Sequence, residues 1–167
     1  MEQHNIHFEK KESLYEIEGQ VEKEQLIICD DIQNTFLVVT YNDNHNIGVA
    51  YYDYGIKPVC MYSQDDKYLY LGVAKKIISI DVCTNIMIEN NNLQSIFYEF
   101  ICDSKKNYIC AICELDVYCY CKDMLKWKIG FKDIIIDYSV NDDSTISIKC
   151  DNGEKYLFSL EDGKILE

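Results

Sequence analysis

From Thr145 to Cys150 the chain alternates. Ile146, Ile148 and Cys150 are apolar, and Thr145, Ser147 and Lys149 are polar. A period of two marks a strand with one buried face. Asp151-Asn152-Gly153 follows this run, and Asp162-Gly163 follows the next. Both supply the positive φ that tight hairpins need. Ile134 to Glu167 therefore reads as a four-stranded antiparallel meander.

The same order of runs and turns recurs upstream. Second strands start at Phe36, Tyr68, Tyr108 and Thr145, at intervals of 32, 40 and 37 residues. Third strands start at Ile47, Ile77, Val117 and Lys155. Closing strands are expected from Ile56, over Ile86 to Ile88, from Leu125 to Ile129 and from Lys164 to Leu166. In Leu125-Lys126-Trp127-Lys128-Ile129 the alternation turns Trp127 toward the core. A fixed period of this size is the mark of a repeat architecture. The predicted fold is all-β, with about four consecutive four-stranded antiparallel meanders over residues 26–167.

Units near forty residues with four strands each resemble β-propeller blades of the quinoprotein and WD types. Tyr156 to Leu166 carries the resemblance best, with Glu161-Asp162-Gly163 in its turn. Ile78 to Ile88 carries it with Thr84-Asn85 in the same place. Trp127 is the only Trp, and no Gly-His and Trp-Asp pair frames a unit. The resemblance implies either a propeller-like ring or an open, twisted stack of sheets. A β-sandwich with coincidental spacing is the alternative.

Residues 1–25 stand outside the repeat and form an acidic N-terminal segment. Residues 1–31 hold nine acidic side chains against three Lys. Ile6 and Phe8 alternate with polar neighbours, as do Leu14 and Glu16. Two short strands broken near Glu9 to Ser13 are expected, and one of them could complete the last blade. A helix from Ser13 to Glu24 is disfavoured by Gly19, Ile17 and Val21.

At 167 residues the chain is read as one domain, 1–167. Its 14 Tyr, with many Ile and Val, favour sheet. Pro58 is expected at an edge or at the crossover between the first two units. No run of about 18 apolar residues suggests a membrane span. The N-terminus lacks the pattern of a secretory signal. The nine Cys mostly lie in apolar runs, and their spacing is not that of a secreted scaffold. They are read as reduced, in a cytoplasmic protein.

Cys110-Ala-Ile-Cys113 and Cys119-Tyr-Cys121 could supply four zinc thiolates. However, Cys110 and Cys113 stand at odd separation on one strand and so face opposite ways. They are read as core residues, with no metal and no cofactor expected. Nucleophile-elbow, metalloprotease, phosphate-loop and dinucleotide motifs are all absent. The sequence points away from an enzyme.

The formal net charge is −13. It disfavours nucleic acid and anionic membranes as partners and favours a basic protein. In a meander, the first and third turns share one end of the sheet. The candidate binding residues are therefore the turn carboxylates Asp30, Asp31, Asp65, Asp66, Asp142, Asp143, Glu161 and Asp162. Asp53, Asp103 and Asp123 lie in turns of the same series. Turns also favour Asp for conformational reasons alone. By charge and size, the chain is similar to immunity proteins that neutralise basic, nuclease-type toxins. A scaffold assembling through strand edges or Tyr-rich faces is the alternative. Tyr51, Tyr52 and Tyr54 offer a hydrophobic contact face.

Overall fold

The computed structural model describes residues 5–42, 44–122, 124–141 and 144–166. It is all-β, with fifteen strands in four sheets among the described residues. The first sheet contains β1 (His7–Lys11), β2 (Leu26–Ile28), β3 (Thr35–Tyr41) and β4 (His45–Tyr51), in the order β1-β3-β4-β2. The second runs β5 (Val59–Tyr62), β6 (Tyr68–Val73), β7 (Lys76–Asp81) and β8 (Ile86–Asn92). The third runs β9 (Phe97–Cys102), β10 (Tyr108–Cys113), β11 (Asp116–Cys121) and β12 (Met124–Gly130). The fourth holds β13 (Ile135–Asn141), β14 (Thr145–Cys150) and β15 (Lys155–Ser159).

The second and third sheets are the expected meanders. The fourth has three strands, and its fourth run makes one bridge, Phe158 to Ile165. The first unit departs most from expectation. The run from Ile56 does not close it but leads through Pro58 into β5 of the second sheet. Its place beside β4 is taken by β2, which pairs in parallel. On the other side β1 pairs antiparallel with β3. The N-terminal strand thus completes the first sheet, not the last.

The second expected N-terminal strand is a short helix, α1 (Leu14–Glu18). The Ser13 side chain accepts a hydrogen bond from the Glu16 N–H, capping its start. The helix lies on the first sheet because Ile17 is fully buried there. A Cβ on Gly48 of β4 would come within 2.2 Å of Ile17 Cγ2. The glycine therefore opens the seat that the helix fills.

Three apolar clusters join the four sheets in a row. Leu37, Val39, Ile47 and Val49 of the first sheet meet Leu69, Leu71, Ile78 and Ile80 of the second. Tyr68, Tyr70 and Ile77 meet Phe97, Phe100, Tyr118 and Tyr120. Cys110, Ile112, Val117 and Cys119 meet Ile146, Ile148, Cys150 and Phe158. No such cluster among the described residues joins the first sheet to the fourth. The row is propeller-like but open. One terminal face lies under α1. The other, on the fourth sheet, carries Ser139, Asn141, Ser147, Lys149 and Lys155, as the pairing register requires.

The sheets share two ends. At one, Gln25 Nε2 donates to the Asn85 carbonyl at 2.7 Å and the Tyr62 hydroxyl donates to Asn42 Oδ1 at 3.2 Å. The Leu160 N–H reaches the Ser144 carbonyl there at 2.9 Å. At the other, the Cys29 N–H bonds the Ala50 carbonyl, Leu93 bonds Lys75, and Ile135 bonds Glu114. These bonds fix which turns lie together.

Gly72 marks the tightest approach between sheets. A Cβ there would stand 2.2–2.5 Å from three ring carbons of Phe97. Gly72→Ala should therefore cost roughly 1–3 kcal/mol by forcing the second and third sheets apart. Urea unfolding followed by far-ultraviolet circular dichroism measures this, and an unchanged midpoint would refute the close packing.

Candidate functional site

The expected rim of carboxylates divides between the two ends. Asp65, Asp66, Glu161 and Asp162 lie at the Asn42 end, as does Asp103. Asp30, Asp31 and Asp53 lie at the opposite end, where β2 and β4 finish together. The reason is the direction of β3, which runs toward the Asn42 end while β6, β10 and β14 run away from it, so the loops before β3 and after β4 lie opposite the other opening turns. Asp142, Asp143 and Asp123 lie outside the described residues. Lys67, Lys105, Lys106, Lys122 and Lys164 share the turns of the Asn42 end, so its charge is mixed.

Most carboxylates of the Asn42 end hold their own turns. Asp65 Oδ1 accepts from the Ser63 hydroxyl at 2.7 Å and the Lys67 N–H at 3.3 Å. These bonds, the Ser63 one first, draw its pKa down. Asp103 accepts from the Tyr108 N–H at 2.7 Å and the Lys105 N–H at 3.3 Å. Asp162 pairs with Lys164 Nζ at 2.6 Å and accepts its N–H at 3.2 Å, and the Lys164 contact lowers its pKa. Seven non-glycine residues among those described take positive φ, including Asp66, Ala74, Asn85 and Lys122. Gly153 and Gly163 also take it, as their turns predicted.

At the other end a different surface forms. Asp30 Oδ2 accepts from the Tyr52 N–H at 3.0 Å, and Oδ1 accepts from the Tyr54 hydroxyl at 3.1 Å. The Tyr52 and Tyr54 rings meet edge to face, with centroids 5.2 Å apart. Loss of solvent, then the bond to Asp30, push the Tyr54 hydroxyl pKa up. Asp53 Oδ1 holds the Gly55 N–H at 2.7 Å, and the Asp53 N–H donates to Asn34 Oδ1 at 2.8 Å. Lys75 of the second sheet places its Nζ 5.7 Å from the Tyr54 ring centre. Ile32 beside them is 74% exposed. Asp31 accepts no hydrogen bond among the described residues.

Asp30 and Asp31 form a ridge between two recesses. One, of about 320 Å³, is lined by the two carboxylates, Ile32, Tyr52 and Tyr54. The other, of about 370 Å³, is lined by the carboxylates, Ile28, Cys29, Lys76 and Asn92. Lys76 Nζ donates there to Asn90 Oδ1 at 3.1 Å and Asn92 Oδ1 at 2.8 Å. Tyr51 is not part of this surface. It is buried in the first interface, and burial pushes its hydroxyl pKa up to about 12.

The four cysteines of the candidate zinc cluster do not share one face. Cys110 faces the fourth sheet and Cys113 the second, both fully buried. Cys119 stands directly across from Cys110, and Cys121 across from Tyr108. No group of three or more metal-ligating side chains occurs among the described residues. Burial pushes the Cys29 and Cys60 thiols up to about 12 and raises Cys113, while Cys110 is raised first by its hydrogen bond with Cys119 and then by burial. Cys83 alone is exposed. Trp127 is half-buried, and its Nε1–H donates to the Leu160 carbonyl at 2.9 Å. It ties the third sheet to the fourth.

No protein-family model matches the sequence, and no curated protein matches it. Solved structures are similar in fold. A β-propeller domain of Myceliophteria thermophila (Swd1) matches at TM-score 0.50 and 8% identity, over 66% of this chain and 38% of that one. The dihydro-heme d1 dehydrogenase NirN matches at TM-score 0.54 and 8% identity, over 79% and 32%. The hydrazine synthase of Kuenenia stuttgartiensis matches at 0.53 and 12%, over 86% and 48%. The likeness is one of fold alone. The chain spans less than half the length of each of these three. No helix among the described residues is long and apolar enough to cross a membrane.

Two outcomes separate turn carboxylates from free ones. Asp65→Ala should cost about 1 kcal/mol by releasing two hydrogen bonds, whereas Asp31→Asn should change stability by less than about 0.5 kcal/mol. Equal effects in chemical denaturation would contradict the division. The Asp65 contribution should also fade below its unfolded pKa, near 4, because the folded pKa is lowered.

Thiol chemistry gives a further test. At pH 8 Ellman's reagent should react rapidly with Cys83 alone, and Cys83→Ser should remove that phase. All nine thiols should react in denaturant. Several fast thiols in the native state would refute the burial described.

Proposed function

We propose that this chain is a non-catalytic, protein-binding β-repeat module. Its contact surface is the Asp30 end, where Tyr52, Tyr54 and Ile32 stand beside Asp30 and Asp31. The observation that carries the reading is the fixed, exposed aromatic pair edged by carboxylates. Binding hot spots are rich in Tyr, and rim charges steer association. The net charge of −13 favours a basic partner. Neutralisation of a basic, nuclease-type toxin is the narrowest form of this proposal and draws on charge and size alone. A cytoplasmic setting fits the nine cysteines.

An assembly scaffold is the second reading. It draws on the outermost strands β8 and β12, where Ile86 is 61% exposed and Met124 58%. Outer strands with free edges can pair with other chains. Sedimentation at rising concentration separates the two, since only the scaffold self-associates there.

A photo-crosslinking side chain at position 32, in extract of the cells that make the protein, tests the first reading. It should capture one basic protein. Capture should fail with Tyr52→Ala and Tyr54→Ala together, or with Asp30 and Asp31 both changed to Lys. It should survive reversal of Asp65 and Asp66. A crosslinker at exposed Tyr15 should capture nothing. Absence of a product at position 32, or one indifferent to both tyrosines, would overturn the proposal.

A further inference from the structure

We infer that the Tyr52–Tyr54 recess receives an arginine side chain from the partner protein. This rests on the binding reading above and gives it a chemistry. The Asp30 carboxylate in the recess and the Asp53 carboxylate beside it are already committed. Asp30 spends one carboxylate oxygen on the Tyr52 N–H and the other on the Tyr54 hydroxyl. Asp53 holds the Gly55 N–H. These bonds lock the two rings at 5.2 Å in their edge-to-face pose, so no ordering is needed when a ligand arrives.

What remains open is a free carboxylate, Asp31, beside exposed ring surface. A cation suits both. The Tyr54 ring shows the preference within the chain, since Lys75 Nζ lies 5.7 Å from its centre. A guanidinium meets the recess better than an ammonium does. It is planar and stacks on a ring face while its edge donates two parallel bonds to a carboxylate. Ile32, 74% exposed, offers an apolar strip for the arginine methylenes. The recess of about 320 Å³ opens at the molecular surface and suits a side chain presented by a partner.

The other concavities carry less. The hollow of about 530 Å³ on the fourth sheet is lined by Lys149, Lys155, Asp137 and serines of mixed chemistry. The polar recess beside Asp30 already has its Lys76 bonded to Asn90 and Asn92.

The test uses the full ¹⁵N-labelled chain and three small probes: N-acetyl-arginine amide, N-acetyl-lysine amide and N-acetyl-citrulline amide. With the arginine probe, the backbone signals of Ile32, Tyr52 and Tyr54 should shift together and saturate. The lysine probe should shift them less than half as far at equal concentration. The citrulline probe, which keeps the shape but not the charge, should leave them in place. Asp31→Asn, whose spectrum should otherwise match the parent, should weaken the arginine response about fivefold. Equal responses to arginine and lysine, no response, or shifts centred on Asp65, Asp66 and Glu161 would overturn the inference. Crosslinking at position 32 without an arginine response would leave the binding module standing and remove only the arginine. Loss of that crosslink would remove the binding reading itself.

Discussion

The central strands of the second and third sheets are apolar on both faces and must be covered twice. In β6 all six residues are buried, and in β10 five of six. Such strands cannot face water on either side, so the sheets stack face to face. Burying one Leu or Ile side chain contributes about 1.5–3 kcal/mol, and each interface buries many. The row of sheets follows from that requirement, and so does its need for two ends that do not require a neighbour.

The two ends meet that need differently. On the first sheet, Gly48 leaves a hollow that Ile17 of α1 fills, so a short helix stands in for a further sheet. On the fourth sheet the outer face is mostly polar, with Ser139, Asn141, Ser147, Lys149 and Lys155 beside Leu157, against Ile146 and Ile148 on the inner face. A row finished in these two ways has no apolar pair of faces with which to close into a ring. Its propeller-like geometry comes from sheet twist and spacing, shared with much longer proteins at 8–12% identity.

The candidate surface grows from the same constraint. β1 and β2 flank β3 and β4, and β2 pairs in parallel because its chain enters at the Asn42 end, where β4 also begins. That pairing delivers Asp30 and Asp31 to the end where β4 leaves the sheet, against Tyr52 and Tyr54. The hydrogen bonds of Asp30 then turn a crossover loop into a fixed surface. At the opposite end, Asp65, Asp103 and Asp162 use their oxygens on neighbouring N–H groups. Their charge serves the turns that carry them.

The sequence by itself determined the strand content, the four-unit spacing and the opposite facings of Cys110 and Cys113. These depend on local periodicity and turn residues, which act over a few positions. It also showed the turns at Ala74, Lys122, Gly153 and Gly163, though at Ala74 and Lys122 no glycine or asparagine marks the positive φ. Tertiary structure decided which strand completes the first sheet, that Leu14–Glu18 is helical, and that Asp30 and Asp65 lie at opposite ends. Those outcomes turn on partners distant in sequence. Ile17 becomes a helix anchor only because Gly48 leaves room for it. Whether a strand pairs parallel or antiparallel follows from where its chain enters the sheet, which no local pattern of apolar and polar residues encodes.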